Sequence, residues 1–312
     1  MAEAFVRPDV RAFLDWLNTL PGPRSHEAGP EEARKMMVAG RYALDAEERP
    51  IAVKRDLVID GPGGPLRLRL YDRRETRGPG PVMAFFHGGG WVIGDLETHE
   101  PLCVDVALDL DLPVVAVDYR LAPEHPFPAA FDDCLAAARW IGAGPEALGR
   151  TASGLVLAGD SAGGNLTAAV SAALRDEPAA VPVQAQWLIY PAADPCKRYP
   201  SYEQFAEGHV LTKSSMDWFE ESYAGPRNDW RYSPMLKGMD GLPPTFVLTA
   251  SLDPIRDQGR AYGAACAKAG VETVFHEAQG TVHGFLNLRK ALPSAQADLG
   301  ICLAYLKAML DR

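Results

Sequence analysis

Six short apolar runs alternate along most of the chain with stretches of helical composition. The runs lie at residues 82–86, 114–117, 155–158, 187–190, 246–249 and 271–275. Continuous apolar runs of this length are typical of strands that are buried on both faces, and their alternation with helices indicates parallel strands joined by helical crossovers. The sequence therefore predicts an α/β protein with a mostly parallel sheet that is flanked by helices.

Two further strands are predicted ahead of these runs, at residues 53–59 and 66–71. The turn between them is short and rich in glycine and proline, so the two strands are expected to pair in antiparallel fashion. The second strand alternates leucines with Arg67 and Arg69, which is the period-two pattern of a half-exposed strand. We therefore expect this strand to lie at an edge of the sheet.

Two separate parts of the chain do not fit the strand–helix alternation. Residues 1–50 contain two segments with helical patterning, at 8–20 and 30–42, and residues 197–237 form an aromatic-rich stretch without a buried strand. Isolated amphipathic helices need another surface to cover. We expect residues 1–50 and 197–237 to meet as the two parts of a helical cap, a lid over one sheet edge. The domain beneath spans residues 51–312, with 197–237 as an insertion.

Composition limits the partners and the cellular compartment that are expected for this chain. The formal net charge of −10 argues against nucleic acid and anionic membrane surfaces as partners. The five cysteines are widely scattered and odd in number, which favours buried free thiols in a reducing compartment. The chain shows neither a signal-peptide pattern nor an apolar stretch long enough for a membrane span. A cytoplasmic location is the resulting expectation.

One of the apolar runs leads directly into a glycine-rich corner. Residues 159–163 read Gly-Asp-Ser-Ala-Gly and follow the run at 155–158, with a helical segment after them. This is the G-x-S-x-G pattern of a nucleophile elbow, in which a tight strand-to-helix turn lifts the serine hydroxyl clear of the sheet. The alternatives are a glycine-rich phosphate-binding turn or a serine that only caps the helix. We assign the nucleophile to Ser161.

A second glycine-rich loop, His87-Gly88-Gly89-Gly90, follows the run at 82–86. Glycines leave their backbone amides unobstructed, and acyl transfer needs such donors at the oxygen that becomes negative. The prediction is an oxyanion hole formed by the amides of Gly88, Gly89 and Ala162. The alternative is a flexible turn, and His87 is expected to be structural.

A serine nucleophile needs a histidine base and a carboxylate that orients the histidine. Of the seven histidines, His283 lies in a loop beyond the last strand, whereas His276 lies inside or at the end of that strand. Asp253 is the first carboxylate after the run at 246–249, and Asp257 is the second choice. Asp253 followed by Pro254 also fits a helix cap. The order Ser161, Asp253, His283 along the chain is that of α/β-hydrolases, and it favours Asp253 as the catalytic carboxylate.

These motifs together resemble the bacterial hormone-sensitive-lipase-like esterases, also called family IV. The resemblance is carried by residues 87–90, 118–124, 159–164, 253–257 and 283–285, and the Gly-Asp-Ser-Ala-Gly motif is similar to that of one subgroup. It implies an α/β-hydrolase fold with an eight-stranded sheet and a helical cap. It also implies that Ser161, Asp253 and His283 are the catalytic residues, with an oxyanion hole at Gly88, Gly89 and Ala162.

The predicted function is hydrolysis of carboxylic esters with short to medium acyl chains through a serine acyl-enzyme. No metal or cofactor motif is present in the sequence, so the predicted partner is a small-molecule ester alone. The resemblance also allows a homodimer. Two alternatives stay open: an amidase or acyl transferase with the same three residues, and a non-catalytic protein that binds small ligands on a hydrolase scaffold.

Overall fold

A single eight-stranded sheet forms the centre of the molecule in the computed structural model, which describes residues 4–311. The strands are β1 (Val53–Gly61), β2 (Gly64–Asp72), β3 (Gly80–Phe86), β4 (Val114–Asp118), β5 (Ala152–Asp160), β6 (Val183–Ile189), β7 (Thr245–Leu252) and β8 (Thr273–Val282). Their order in the sheet is β1-β2-β4-β3-β5-β6-β7-β8. The six strands β3 to β8 are parallel to one another. The predicted α/β-hydrolase architecture is confirmed.

Helices cover both faces of this sheet. They are α1 (Pro8–Leu17), α2 (Ser25–Ala28), α3 (Pro30–Leu44), α4 (Glu100–Asp109), α5 (Ala129–Ala143), α6 (Ala162–Asp176), α7 (Pro200–Gln204), α8 (Lys213–Tyr223), α9 (Arg256–Lys268) and α10 (Ser294–Leu310). Short 3₁₀ turns lie at Glu146–Leu148, Pro234–Leu236 and Phe285–Asn287. None of the helices within residues 4–311 combines the length and the apolar character that a membrane crossing requires.

Alternate residues of each buried strand point to opposite cores. In β3, Met83 and Phe85 pack with α4 and α10, whereas Val82, Ala84 and Phe86 pack with α5 and α6. This two-residue period explains why the central strands are apolar without interruption, since neither face of the sheet meets water.

The hairpin of β1 and β2 is antiparallel, as predicted, but β2 is not an edge strand. It pairs with β1 on one side and with β4 on the other, which leaves β1 at the edge. Arg69, read from the sequence as half-exposed, is 7% exposed. Its guanidinium bonds Asp56 and Glu97 and approaches the buried Glu100. Because its ion pairs allow Arg69 to be buried, the alternation of leucine and arginine in this inner strand looks the same in sequence as that of an edge strand.

The N-terminal helices and the inserted segment contact one another. α2 packs on α8, and the side-chain amide of Asn18 donates to the carbonyl of Gly208 at 3.4 Å. α1 contacts β8, which is an edge strand of the sheet. α8 instead lies over the carboxyl ends of β3 and β5, with Phe219 against Gly90. Residues 1–3 of the predicted N-terminal part lie outside the described residues.

The cysteines do not pair with one another. Cys196 is half-buried, and the remainder are buried free thiols: Cys103, Cys134, Cys266 and Cys302. Their separation in the fold agrees with the scattered spacing in the sequence.

Candidate active site

Ser161 lies at the sharp corner between β5 and α6. Its backbone φ of 56° is in the left-handed region, which is strained for a residue with a side chain. The corner closes because Gly159 and Gly163 have no side chains: a Cβ at either would collide with backbone carbonyls of the turn or of Phe86. The G-x-S-x-G sequence therefore folds into an elbow that presents the serine hydroxyl at the carboxyl end of the sheet.

Ser161, His283 and Asp253 form a continuous hydrogen-bonded chain. His283 Nε2 lies 2.8 Å from Ser161 Oγ, and His283 Nδ1 lies 2.7 Å from Asp253 Oδ2. Asp253 is fully buried and His283 is 8% exposed. The ring of Tyr190 meets the imidazole edge-on with centroids 4.9 Å apart, which restricts its rotation. The three side chains selected from the sequence are thus brought together, although they are far apart along the chain.

The competing residues lie elsewhere. Asp257, the second choice, accepts hydrogen bonds from Ser201 N, Arg256 and Arg260 on the outside of the site. Asp253 does bond locally, because Ile255 N donates to its Oδ1 at 2.9 Å, but its Oδ2 faces His283. The local hydrogen bond and the contact with histidine therefore use different oxygens of one carboxylate.

The loop at residues 87–90 departs from the prediction at Gly88. The amide of Gly88 donates to Asp160 Oδ1 at 2.7 Å, in a buried position. An amide has one hydrogen, so Gly88 is not available to a substrate oxygen. No acceptor within residues 4–311 contacts the amides of Gly89 and Gly90.

The sequence does not single out Gly90 for the oxyanion hole, but its position makes it a candidate donor. It lines the cavity beside Ser161 together with Ala162. The amide of Ala162 stands in the first turn of α6, where it has no intrahelical acceptor. The run of three glycines was the signal for such a donor, but it does not reveal which two amides face the substrate.

His87 has the structural role expected for it. Its ring is buried, stacks on Tyr119 with centroids 4.2 Å apart, and lies with Nδ1 2.8 Å from the carbonyl oxygen of Gly88. Burial, followed by repulsion from the nearby His99, lowers the pKa of His87 to about 4. A neutral imidazole that donates Nδ1–H to this carbonyl fits both observations.

A largely apolar cavity of about 460 Å³, partly open to solvent, adjoins Ser161. Aliphatic and aromatic side chains from α7, α8 and the start of α9 form most of its wall. The lining residues are Gly90, Trp91, Ser161, Ala162, Ala192, Pro195, Tyr202, Leu211, Met216, Phe219, Glu220, Ile255 and Gln258. Motif spacing carried no information about this wall, because the aromatic-rich insertion offered many equivalent candidates.

Polar groups in the cavity wall are held by other side chains. The carboxylate of Glu220 takes two hydrogen bonds from Arg198, at 2.8 and 2.9 Å. Within residues 4–311, no group of three or more His, Cys, Asp or Glu side chains is arranged to hold a metal ion. The site therefore places a serine hydroxyl, a hydrogen-bonded imidazole and backbone N–H groups beside an apolar pocket.

Comparisons with known proteins agree with this geometry. The family described as alpha/beta hydrolase fold matches residues 83–287. The chain is 39% identical to carboxylic ester hydrolase LipN of Mycobacterium tuberculosis (strain ATCC 25618 / H37Rv), over 82% of this chain and 70% of LipN. It is 38% identical to esterase LipI of the same strain, over 96% of this chain and 94% of LipI.

A solved structure extends the similarity to three dimensions. The ester-hydrolase EH1AB1 from the metagenome of Lake Arreo, in complex with a derivative of bipyridine phosphonate, superposes with a TM-score of 0.92 at 37% identity. The superposition covers 98% of this chain and 100% of the other. The chain therefore belongs to the α/β-hydrolase fold family, in its hormone-sensitive-lipase-like (family IV) group of esterases.

Proposed function

We propose that this protein hydrolyses carboxylic esters with short to medium acyl chains through an acyl-enzyme on Ser161. The observation that carries the proposal is the hydrogen-bonded chain from Ser161 through His283 to Asp253, beside an apolar cavity. An apolar pocket suits an acyl chain, and an activated serine suits attack on its carbonyl carbon.

The first half of the reaction transfers the acyl group to the protein. Ser161 Oγ attacks the ester carbonyl while His283 Nε2 takes its proton. The amides of Gly89, Gly90 and Ala162 then donate to the oxygen that becomes negative. When the tetrahedral intermediate collapses, the carbon–oxygen bond to the alcohol breaks, and His283 protonates the departing alkoxide.

The second half returns the protein to its starting state. His283 takes a proton from water, the resulting hydroxide attacks the acyl-enzyme, and the carboxylic acid leaves as Ser161 recovers its proton. Asp253 keeps the proton of the neutral imidazole on Nδ1 and stabilises the imidazolium that forms in each half. These roles are supported by the geometry and by the names of the relatives, which are esterases and ester hydrolases.

The test is Ser161→Ala, assayed with a soluble chromogenic ester and with a serine-directed phosphonate. We expect turnover to fall by about 10⁴-fold or more while the melting temperature is retained, because only the nucleophile is lost. The phosphonate should label the native protein at Ser161 and leave the variant unlabelled. Hydrolysis at the native rate by Ser161→Ala would contradict the proposal, and absence of labelling would favour a non-catalytic binding protein.

Matched ester and amide substrates address the chemical alternative. Because the apolar cavity selects the acyl part, both substrates should bind, but we expect the ester to react far faster. A higher kcat/KM for the amide would instead identify an amidase.

The setting proposed for this enzyme follows from the surface and the thiols. The net charge of −10 supports a small-molecule substrate without nucleic acid or membrane partners, and the free cysteines support a cytoplasmic location. A homodimer is the oligomeric state that the resemblance allows, and sedimentation of the purified protein measures it.

A further inference from the structure

Asp160, the residue before the nucleophile, touches two loops of the candidate site. Its Oδ1 accepts the amide hydrogen of Gly88 at 2.7 Å, and its Oδ2 accepts from the side-chain amide of Asn287 at 3.2 Å. Gly88 begins the glycine run of the loop at residues 87–90, called the oxyanion loop below. Asn287 lies four residues after His283, in the segment 283–287 that is called the histidine loop. One buried carboxylate therefore connects the serine corner, the oxyanion loop and the histidine loop.

Asp160 is 3% exposed and has a second buried partner, His99. His99 is 1% exposed, and its Nε2 lies 3.1 Å from Asp160 Oδ1. A carboxylate removed from water without a compensating charge costs several kcal/mol. His99 contacts Asp160 within hydrogen-bonding distance and can carry a positive charge, so it can supply this compensation.

The hydrogen-bond partners of His99 indicate which of its ring nitrogens carry protons. Nε2 lies 3.1 Å from Asp160 Oδ1. The amide of Gly88 donates to that oxygen at 2.7 Å and makes a longer contact with Nε2 at 3.3 Å, so the charged oxygen is its main acceptor. Two acceptors at 3.1 Å would repel each other, so Nε2 carries a proton.

The other ring nitrogen, Nδ1, lies 2.9 Å from Thr98 Oγ1. The Thr98 hydroxyl donates to the carbonyl of Asp95 at 2.9 Å and accepts the Asp95 amide at 2.9 Å. With its single hydrogen donated to the carbonyl of Asp95, the hydroxyl accepts a hydrogen bond from Nδ1–H. His99 then has a proton on both nitrogens and a positive charge.

We propose that His99 is a buried imidazolium paired with the carboxylate of Asp160, and that this ion pair positions the oxyanion loop and the His283 loop against Ser161. Both are positioning residues, because neither lines the cavity that would take the substrate. The kinetic part of the proposal rests on the proposed ester hydrolysis. The ionisation of His99 does not.

The groups around His99 agree with its charge. Burial lowers the pKa of His99, but the charge and hydrogen bond of Asp160 outweigh it, and the charges of Asp95 and Asp45 add to the rise. His87, whose ring centroid is 5.6 Å away, shows the reverse. Its lowered pKa, to about 4, is due first to burial and then to His99.

The ionisation is tested on the native protein by long-range ¹H–¹⁵N correlation of labelled histidines between pH 7 and 8. The His99 signal is assigned by its loss in His99→Gln. We expect both ring nitrogens to be protonated, whereas a free histidine is mainly neutral in this range. A single protonated nitrogen would overturn the proposal, whatever the activity of the enzyme. In Asp160→Asn, we expect the imidazole to become neutral.

The positioning role is tested by kinetics of Asp160→Asn, His99→Gln and the double variant. We expect kcat to fall about tenfold or more in each single variant, with KM changed less than about threefold. The reason is that misplaced donors reduce the stabilisation of the transition state more than they reduce substrate binding. The double variant should be no slower than the slower single variant. An unchanged kcat in the single variants would contradict the positioning role. Losses that multiply in the double variant would show that the two residues act independently, which also contradicts it.

Asp72→Asn provides the matched control. Asp72 is also a buried carboxylate in ion pairs, with Arg77 and Arg150, but it lies at the opposite end of the sheet from Ser161. We expect this variant to lose stability and keep its kcat. If its kcat falls as much as that of Asp160→Asn, the loss reflects buried charge in general, and the positioning role is wrong.

Discussion

Gly88, Gly89 and Gly90 carry the same side chain, but their amides have different surroundings. Gly88 donates to the buried Asp160, whereas Gly90 borders the cavity beside Ser161. A backbone donor can serve a substrate only if the fold leaves it unpaired. At the scale of single residues, function in this loop is therefore decided by which hydrogens are already in use.

The carboxylate that serves His283 is tested by two amide substitutions. Asp253→Asn keeps the size of the side chain but no longer stabilises the imidazolium, so we expect kcat to fall by about 10⁴-fold. Asp257→Asn is the control, because Asp257 bonds Arg256, Arg260 and Ser201 and not the histidine. Steady-state rates decide, and a crippling loss in Asp257→Asn alone would show that the two aspartates are wrongly assigned.

His87 is expected to make stability depend on pH. Its folded pKa is about 4, whereas an unfolded histidine titrates near 6.5. Between these values the unfolded chain binds more protons, so acidification from pH 6.5 to 4 destabilises the fold by up to about 3 kcal/mol through this group. Urea unfolding at several pH values should show a smaller decline for His87→Asn. An identical decline would contradict a neutral buried His87.

At the scale of elements, α3 is attached to the sheet domain differently at its two ends. Asp45, directly after α3, is buried and bonds Arg289, which also pairs with Asp105 of α4. Near the start of the helix, Arg34 pairs with Glu124 on the surface, where the Glu124 side chain is 53% exposed. A buried pair and a screened pair thus fasten the same helix.

These two attachments should differ in energy. Asp45→Asn leaves the buried charge of Arg289 undercompensated, and we expect a loss of about 3 kcal/mol in the free energy of unfolding. Glu124→Gln should lose less than about 1 kcal/mol, because the exposed pair is screened by water. Urea titrations of both variants provide the comparison. Equal losses would mean that the burial of Asp45 does not govern the attachment.

The histidine loop is bound by the N-terminal segment on both sides. Arg7 N donates to the carbonyl of Gly280 before His283, and the amides of Lys290 and Ala291 donate to the carbonyl of Leu44 after it. The segment at residues 4–50 therefore supports the loop that carries His283.

For the whole molecule, the way the helices border the cavity leads us to expect a limit on substrate size. Met216 and Phe219 of α8 form part of the wall of the cavity beside Ser161, whose volume of about 460 Å³ includes space open to solvent. With a series of p-nitrophenyl esters, we expect kcat/KM to be highest for short to medium acyl chains and to fall steeply towards the palmitate, because a long chain exceeds the pocket. Preference for emulsified long-chain esters would contradict this limit.

Much of the fold follows from local patterns in the sequence. Continuous apolar runs such as residues 155–158 identify strands buried on both faces, because the two-residue period places every side chain in one of two cores. The corner at Ser161 is also local, since the glycines around it are the residues that its tight turn accepts. The sequence by itself therefore determined the fold class, the elbow and the three side chains of the hydrogen-bonded chain.

Only the tertiary structure decided how distant segments meet. It showed that β2 is an inner strand with a buried Arg69, that α8 lies over the carboxyl ends of β3 and β5, and that Asp160 occupies the amide of Gly88. The physical reason is that burial, ion pairing and the use of a single hydrogen depend on partners far away in sequence. Period and turn chemistry describe a residue's near neighbours and carry no information about such partners.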